Sequence, residues 1–222
     1  MIDYPGKVSC VLFTTGCNFT CPYCHNPELA CNQGGHLSPL EENKILNFLE
    51  RRKRLLEGVV ITGGEPTLHS GLGTFCEKVK NLGYPIKLDT NGSRPNDLQR
   101  LIGKSLVDYI AMDVKTDFSR YAPDICSADL TRDLTSCIDS ILSSDLPHEF
   151  RTTCLSPFVD TDIIGHIAKC IEGADLYALQ PFKNGRVLNP DYIREKTALC
   201  SEKDLLRFQS IAAPFVKRCI IR

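Results

Sequence analysis

The chain has 222 residues, 42% of them hydrophobic, so it can bury a sizeable core as one α/β domain or two small ones. Its formal net charge of −1 excludes a global electrostatic field that recruits nucleic acid, and we expect no nucleic-acid partner. No apolar run approaches the roughly 20 residues that cross a bilayer, and no signal-peptide pattern opens the chain, so we expect a cytoplasmic protein without a membrane partner.

Hydrophobic periodicity predicts strands and helices that alternate along the chain. The predicted strands cover 8–13, 59–62, 86–90, 109–113, 149–155, 174–180 and 216–221. The predicted helices cover about 71–82, 95–104, 130–142, 163–171 and 201–213, together with one that begins at Ser38. This alternation predicts a parallel sheet with right-handed crossovers. Periodicity alone leaves an open doubly wound sheet and a partial barrel as alternatives.

The helix at Ser38 is predicted from a local pattern. Ser38 can cap the helix, Pro39 suits its first position and Glu41 completes a capping box. Apolar residues then recur at helical spacing at Ile45, Leu46, Leu49 and Leu56. We interpret the basic run 51–54 between them as a solvated helix face, with a partner-docking patch as the alternative.

Polar residues gather at the carboxyl ends of the predicted strands. They are the cysteine-rich loop after the first strand, Gly63-Gly64-Glu65, Asp89-Thr90-Asn91, Asp113 with Lys115, Arg151, and the stretch 180–183. In parallel α/β folds, ligands bind at that end of the sheet. We therefore expect one shared site there.

The cysteine-rich loop contains Cys17, Cys21 and Cys24 in the spacing C-x3-C-x2-C. Soft thiolate ligands suit zinc, copper(I) or an iron–sulfur cluster. A closed zinc site or a fully protein-bound cluster takes four ligands, so a triplet leaves one metal position open. A zinc knuckle that lacks one ligand and three core cysteines in a tight loop are the alternatives. The chain's other cysteines are scattered, and we interpret most of them as buried small hydrophobes in a reducing, anaerobic setting, with a second metal centre as the alternative.

The remaining polar motifs each allow two interpretations. Gly63-Gly64-Glu65-Pro66 lets the backbone approach a ligand closely, although the motif alone is typical of an ordinary turn. Asp89 and Asp113 with Lys115 fit a zwitterionic or sugar-bearing ligand or a cation, or else they are salt-bridged strand ends. Arg151 suits a bidentate clamp on a ligand carboxylate or a surface ion pair.

Taken together, C-x3-C-x2-C with an aromatic before its last cysteine, followed by G-G-E-P, resembles the signature of the radical S-adenosylmethionine (radical SAM) enzymes. More specifically, the chain resembles the activating proteins of anaerobic ribonucleotide reductase, in the glycyl-radical-enzyme activating branch. The segments that carry this resemblance are 3–7, 16–29, 89–92 and 113–115. The resemblance implies an α/β fold, a partial (β/α)6 TIM-like barrel, as a single radical SAM core domain over 1–222.

The resemblance also implies the cofactors and the residues that bind them. Cys17, Cys21 and Cys24 would ligate a 4Fe-4S cluster, and S-adenosyl-L-methionine would bind its open iron. The implied S-adenosylmethionine site comprises Tyr23, His25, Gly63, Gly64, Glu65, Asp89, Asn91, Asp113, Lys115, Arg151 and Lys183. His25 is expected to donate a hydrogen bond, with a fourth metal ligand as the alternative. Lys183 stands where related activating enzymes carry histidine, and the extra ferredoxin-like insert of some relatives is absent between Cys24 and Gly63.

The activity implied by the resemblance is the one-electron cleavage of S-adenosylmethionine to methionine and a 5′-deoxyadenosyl radical. That radical would take a hydrogen from a glycine of a partner glycyl radical enzyme, and an external donor such as flavodoxin or ferredoxin would supply the electron. Two alternatives remain at this point. One is a radical SAM enzyme that modifies a peptide, nucleotide or small molecule, and the other is a metal protein without enzymatic activity.

Overall fold

The computed structural model describes residues 3–30 and 38–222, and within them strands and helices alternate. The strands are β1 Ser9–Thr14, β2 Gly58–Gly63, β3 Ile86–Thr90, β4 Tyr109–Asp113, β5 His148–Ser156, β6 Tyr177–Pro181, β7 Ala198–Leu199 and β8 Cys219–Ile221. The helices are α1 Pro27–Ala30, α2 Glu42–Arg51, α3 Leu72–Asn81, α4 Pro95–Gly103, α5 Thr131–Leu142, α6 Thr161–Cys170, α7 Pro190–Lys196 and α8 Glu202–Ala212.

The sheet is a partial barrel. Its strands run in the order β1-β2-β3-β4-β5-β6-β8, and all neighbours on this path pair in parallel. No pairing between β1 and β8 closes the sheet within the described residues, and the short β7 pairs antiparallel with β5. Because the strands of this path follow one another in chain order, without the reversal of order of a doubly wound sheet, the structure confirms the predicted α/β fold and favours the partial barrel.

The register of the strands brings the polar motifs to one face. Asp113 of β4 pairs with Arg151 of β5, and Thr153 of β5 pairs with Gln180 of β6. Because side chains alternate between the two faces of a strand, paired residues point to the same side of the sheet. That side is the interior of the barrel, and the helices cover the other side with an apolar core.

The prediction of a helix that begins at Ser38 is wrong. Helix α2 begins at Glu42, and Glu41 precedes it without a side-chain cap hydrogen bond. Residues 38–41 are exposed, so a helical turn there would bury no apolar surface, and a capping interaction alone contributes only about 1 kcal/mol. Leu56 also lies beyond the end of α2 at Arg51.

Other elements differ from the sequence prediction at their edges. Strand β6 begins at Tyr177 and includes Pro181, instead of covering 174–180. Helix α7 and strand β7 were not predicted. The basic run 51–54 is exposed as expected, but only Arg51 belongs to a helix, and residues 52–54 lie in the turn that follows α2.

Half of the eight scattered cysteines that the structure describes are buried, fewer than the predicted majority. Cys76, Cys126, Cys137 and Cys154 are buried, Cys10, Cys200 and Cys219 are partly buried, Cys170 is exposed, and Cys31 lies outside the described residues. Within the described ranges, no three His, Cys, Asp or Glu side chains are arranged to hold a single metal ion, so the alternative of a second metal centre has no candidate there. In the same ranges, no helix is long and apolar enough to cross a membrane.

Candidate active site

The three cysteines of the loop after β1 line one cavity of about 330 Å³ at the carboxyl ends of the strands. The other walls come from the ends of β2 to β6. They are Thr62, Gly63, Gly64, Asp89, Thr90, Asn91, Asp113, Lys115, Arg151, Thr153 and Gln180. The polar strand ends line one shared cavity as expected, apart from the side chains of Glu65 and Lys183. Sequence reasoning missed Thr62 and Thr153 as wall residues, whereas Gln180 belongs to the stretch 180–183 that was expected at the site.

Two neighbouring loops hold the cysteine loop in place. On one side, the backbone N–H of Thr20 donates to the Ile125 carbonyl at 2.7 Å. On the other side, the segment 182–189 after β6 donates from Leu188 N to the Cys24 carbonyl and from Asn189 N to the Pro22 carbonyl, both at 3.0 Å. The cysteines are therefore positioned by segments distant in sequence, which no local pattern could reveal.

The three cysteines have the chemistry of cluster ligands. All three are free thiols, and burial raises the pKa of Cys21 to about 12 although the nearby Lys115 ammonium acts in the opposite direction. The three thiols line the same cavity. Soft thiolate ligands of this kind hold the irons of iron–sulfur clusters. The donor set therefore fits a three-cysteine iron–sulfur cluster.

The turn Gly63-Gly64 fits tightly against the entry to the cysteine loop. Gly64 N donates to the Thr14 carbonyl at 2.9 Å, and Glu65 N donates to the Gly16 carbonyl at 2.8 Å. A Cβ on Gly64 would collide with the Gly16 carbonyl oxygen. Position 64 therefore needs glycine, because the turn and the cysteine loop are in contact through their backbones. Without side chains, the turn also leaves the cavity open on its side.

Glu65 occupies a different place from the one predicted. Its side chain is fully buried and does not line the cavity. Its carboxylate accepts hydrogen bonds from the backbone and hydroxyl of Thr67, from the Thr90 hydroxyl at 2.8 Å and from Asn91 N at 2.6 Å. Burial raises the pKa of Glu65, while these four donors act to lower it. Glu65 therefore ties the glycine turn to the end of β3, and its side chain is not available to a ligand.

The charged residues of the cavity form one connected network. Arg151 donates from Nε to Asp113 at 2.6 Å and from Nη1 to Asp89 at 3.0 Å. Lys115 donates from Nζ to Asp113 at 2.9 Å. Arg151 is only 14% exposed, so it is neither a surface ion pair nor an uncommitted clamp for a ligand carboxylate. Asp89 and Asp113 are salt-bridged strand ends and cavity-lining residues at once.

This network fixes the charge states of the cavity. Burial alone would raise the pKa of Asp113, but Arg151 and Lys115 outweigh it and hold that pKa well below its usual range. Burial alone would lower the pKa of Lys115, but Asp113 outweighs it and the pKa is raised. The carboxylate and the ammonium are therefore both charged at neutral pH, which suits a zwitterionic ligand.

A second charged layer fills the barrel beneath the cavity. Lys87 and Glu149 are both fully buried, with 3.7 Å between Lys87 Nζ and Glu149 Oε1. Arg222 donates from Nη1 and Nη2 to the two oxygens of Glu149 at 3.3 and 2.9 Å. Paired charges rather than open space therefore lie below Asp89 and Arg151.

Tyr23, His25 and Lys183 lie in three different surroundings. Tyr23 lines the cavity with a buried hydroxyl that has no hydrogen-bond partner among the described residues, and its ring packs edge-on against Phe158 at 4.9 Å. The His25 ring stacks on Phe182, and its Nε2 lies 2.8 Å from the Lys183 carbonyl oxygen, an acceptor that requires the ring nitrogen to donate. Lys183 contributes this carbonyl to His25, while its exposed side chain is not part of the cavity wall, in contrast to the prediction.

Comparisons with known proteins point to one family. The Radical SAM superfamily matches residues 11–170. A protein of Methanocaldococcus jannaschii named for glycyl-radical enzyme activation is 33% identical over 100% of this chain and 91% of its own length. A second protein of that organism with the same kind of name is 32% identical over 90% of this chain and 77% of its own length.

The structural comparison agrees at the level of the fold. The crystal structure of Streptococcus suis SuiB bound to S-adenosylmethionine superposes with a TM-score of 0.71 at 13% identity, over 99% of this chain and 51% of that one. The family match covers most of the chain, and the sequence similarity extends over its full length. The chain therefore belongs to the radical SAM superfamily, in the branch of the glycyl-radical-enzyme activating enzymes.

Proposed function

We propose that the protein activates a partner glycyl radical enzyme, such as an anaerobic ribonucleotide reductase, by removing a hydrogen atom from one glycine of that partner. The observation that carries the proposal is the cavity in which three thiols, the Gly63-Gly64 turn and a zwitterion-like set of charges meet. The full-length similarity to proteins named for this activity supports it.

The cavity residues fit both cofactors of the family. Cys17, Cys21 and Cys24 would hold a 4Fe-4S cluster. Gly63, Gly64 and the Asp113–Lys115 pair would receive the amine and carboxylate of S-adenosylmethionine, and Tyr23 presents a buried hydroxyl to which no other described residue bonds. When bound, the two cofactors supply a 5′-deoxyadenosyl radical by one-electron cleavage of the sulfonium.

The chain's own residues bind, orient and exclude water. The Arg151 network fixes Asp89 and Asp113 before any ligand arrives, so little reorganisation accompanies binding. Glu65 holds the glycine turn in the same way from behind. No side chain is required to act as a general acid or base, because the cofactors carry the difficult chemistry.

The interior dimensions favour a substrate that arrives from outside. At about 330 Å³ the cavity is near the lower end of the roughly 300–1,000 Å³ typical of ligand pockets, and the cofactors would occupy it. The layer of Lys87, Glu149 and Arg222 fills the space below. A glycine on a loop of a partner protein meets this restriction, because only the tip of that loop needs to reach the cavity mouth.

The proposal extends to the protein's surroundings. An external one-electron donor such as flavodoxin or ferredoxin would reduce the cluster, and the reaction would take place in an anaerobic cytoplasm, where thiols stay reduced. We also propose that the core domain covers the whole chain, 1–222, of which the family match spans 11–170.

The test is transfer of an isotope from partner to cofactor. The reconstituted protein is reduced with S-adenosylmethionine and a partner glycyl radical enzyme that was grown with glycine carrying deuterium at Cα. Mass spectrometry should find one deuterium in 5′-deoxyadenosine, and none when the radical glycine of the partner is replaced by alanine. Unlabelled 5′-deoxyadenosine in both samples would refute hydrogen removal from that glycine and favour modification of a peptide, nucleotide or small molecule.

A further inference from the structure

The side chain of Asn91, at the end of β3, points at a cysteine sulfur. Its Nδ2 lies 3.8 Å from Cys17 Sγ, within the range of a hydrogen bond to sulfur. The backbone N–H of Phe19 donates to the same sulfur at 3.4 Å. Cys17 therefore has two N–H donors on its sulfur, one from the loop itself and one from a strand end distant in sequence.

The surrounding hydrogen bonds fix the orientation of the Asn91 amide. Its Oδ1 accepts from the backbone N–H of Ser93 at 3.0 Å, and a backbone N–H can only donate. The oxygen must therefore face Ser93, and the NH2 group must face the loop. One of its two hydrogens goes to Asn18 Oδ1 at 3.0 Å, which leaves the other for Cys17.

Asn18 and Ser93 make this arrangement rigid. Asn18 Nδ2 donates to Ser93 Oγ at 2.9 Å, and the backbone N–H of Asn91 donates to the buried carboxylate of Glu65 at 2.6 Å. Asn91 itself is only 6% exposed. The amide is thus held from its backbone, its oxygen and its nitrogen before a ligand is present.

We propose that Asn91 is a positioning residue that sets the reduction potential of the cluster through an N–H hydrogen bond to the Cys17 thiolate. Hydrogen bonds to cluster sulfurs are one of the means by which proteins adjust this potential. A donor on sulfur stabilises the more negative, reduced state and so raises the potential. The inference rests on the proposed function for its cluster. It assigns Asn91 as a hydrogen-bond donor to the Cys17 thiolate instead of a contact of S-adenosylmethionine.

The experiment compares midpoint potentials in reconstituted protein without S-adenosylmethionine or a partner enzyme. Asn91→Leu removes the donor and keeps the size of the side chain, and Gln180→Met makes the matched change on another wall of the same cavity. We expect the potential of Asn91→Leu to fall below that of the wild type, and that of Gln180→Met to stay at the wild-type value. Equal potentials in all three proteins would overturn the proposal, as would the same fall in both variants.

If the Asn91→Leu protein does not assemble a cluster, a second measurement on the wild type tests the same contact. Wild-type protein labelled with 15N in asparagine should show a nitrogen coupling to the reduced cluster in pulsed electron paramagnetic resonance, and no such coupling would overturn the proposal. If Asn91→Leu has the wild-type potential and the wild type activates a partner, only the role of Asn91 is rejected. If the potential of Asn91→Leu is lower and the wild type activates no partner, only the proposed activity is rejected.

Discussion

At the scale of single residues, the contact between Gly64 and the Gly16 carbonyl joins the two motifs of the site. Gly64→Ala places a methyl group where that carbonyl oxygen lies, so the turn and the cysteine loop must move apart. We expect a loss of about 1–3 kcal/mol in the free energy of unfolding of the metal-free protein, the usual cost of overpacking. Denaturant unfolding measures it.

The control for this substitution is Gly103→Ala. A Cβ on Gly103 meets nothing within 4 Å, and the residue ends helix α4. Alanine is the better helix former by up to about 1 kcal/mol, so this variant should match or exceed the wild type in stability. A Gly64→Ala protein as stable as the Gly103→Ala protein would contradict the close backbone contact.

Arg151 joins two carboxylates, and its removal leaves each with a single lysine partner, Lys115 for Asp113 and Lys87 for Asp89. Arg151→Met should cost about 3–5 kcal/mol in the free energy of unfolding, since the buried carboxylates lose part of their compensating charge. Arg100→Met is the matched control, because Arg100 pairs with Asp97 on the surface at 62% exposure and should cost at most about 1 kcal/mol. Similar losses from both variants would show that the interior network contributes no more than a surface pair.

At the scale of elements, the strands were predictable because their apolar runs end at glycine, proline or polar turns. The strand 86–90 and the strand 109–113 have the predicted bounds. Helix α7 and strand β7 were not predictable in this way. Helix α7 has seven residues, none of them buried, and the two residues of β7 are exposed, so neither leaves a hydrophobic pattern.

The segment 182–189 has no regular structure of its own and depends on contacts with the cysteine loop. His25→Phe keeps a ring that can stack on Phe182 but removes the donor to the Lys183 carbonyl. We expect faster amide hydrogen exchange across the segment 182–189, with a global stability loss of only about 0.5–1.5 kcal/mol. Exchange mass spectrometry measures this, and unchanged exchange in that segment would show that His25 does not fasten it.

At the scale of the whole molecule, sequence reasoning could place the site but not the internal bonds of its walls. The site follows from topology, because the ends of parallel strands meet at one edge of the sheet. The partners of Glu65 and Arg151 do not follow from it. Glu65 bonds to Thr90 and Asn91 about 25 residues away, and Arg151 bonds to Asp89 across 62 positions. Neither spacing leaves a local signal, so both residues resembled ligand contacts in the sequence.

The central claim is that this barrel generates a radical on a partner's glycine. The most direct measurement is an anaerobic electron paramagnetic resonance spectrum of the reduced protein with S-adenosylmethionine and a glycyl radical enzyme. We predict the doublet of a glycyl radical on the partner, and none with a Cys21→Ala variant. Accumulation of 5′-deoxyadenosine without a doublet on any partner would contradict the activating function while leaving the radical chemistry intact.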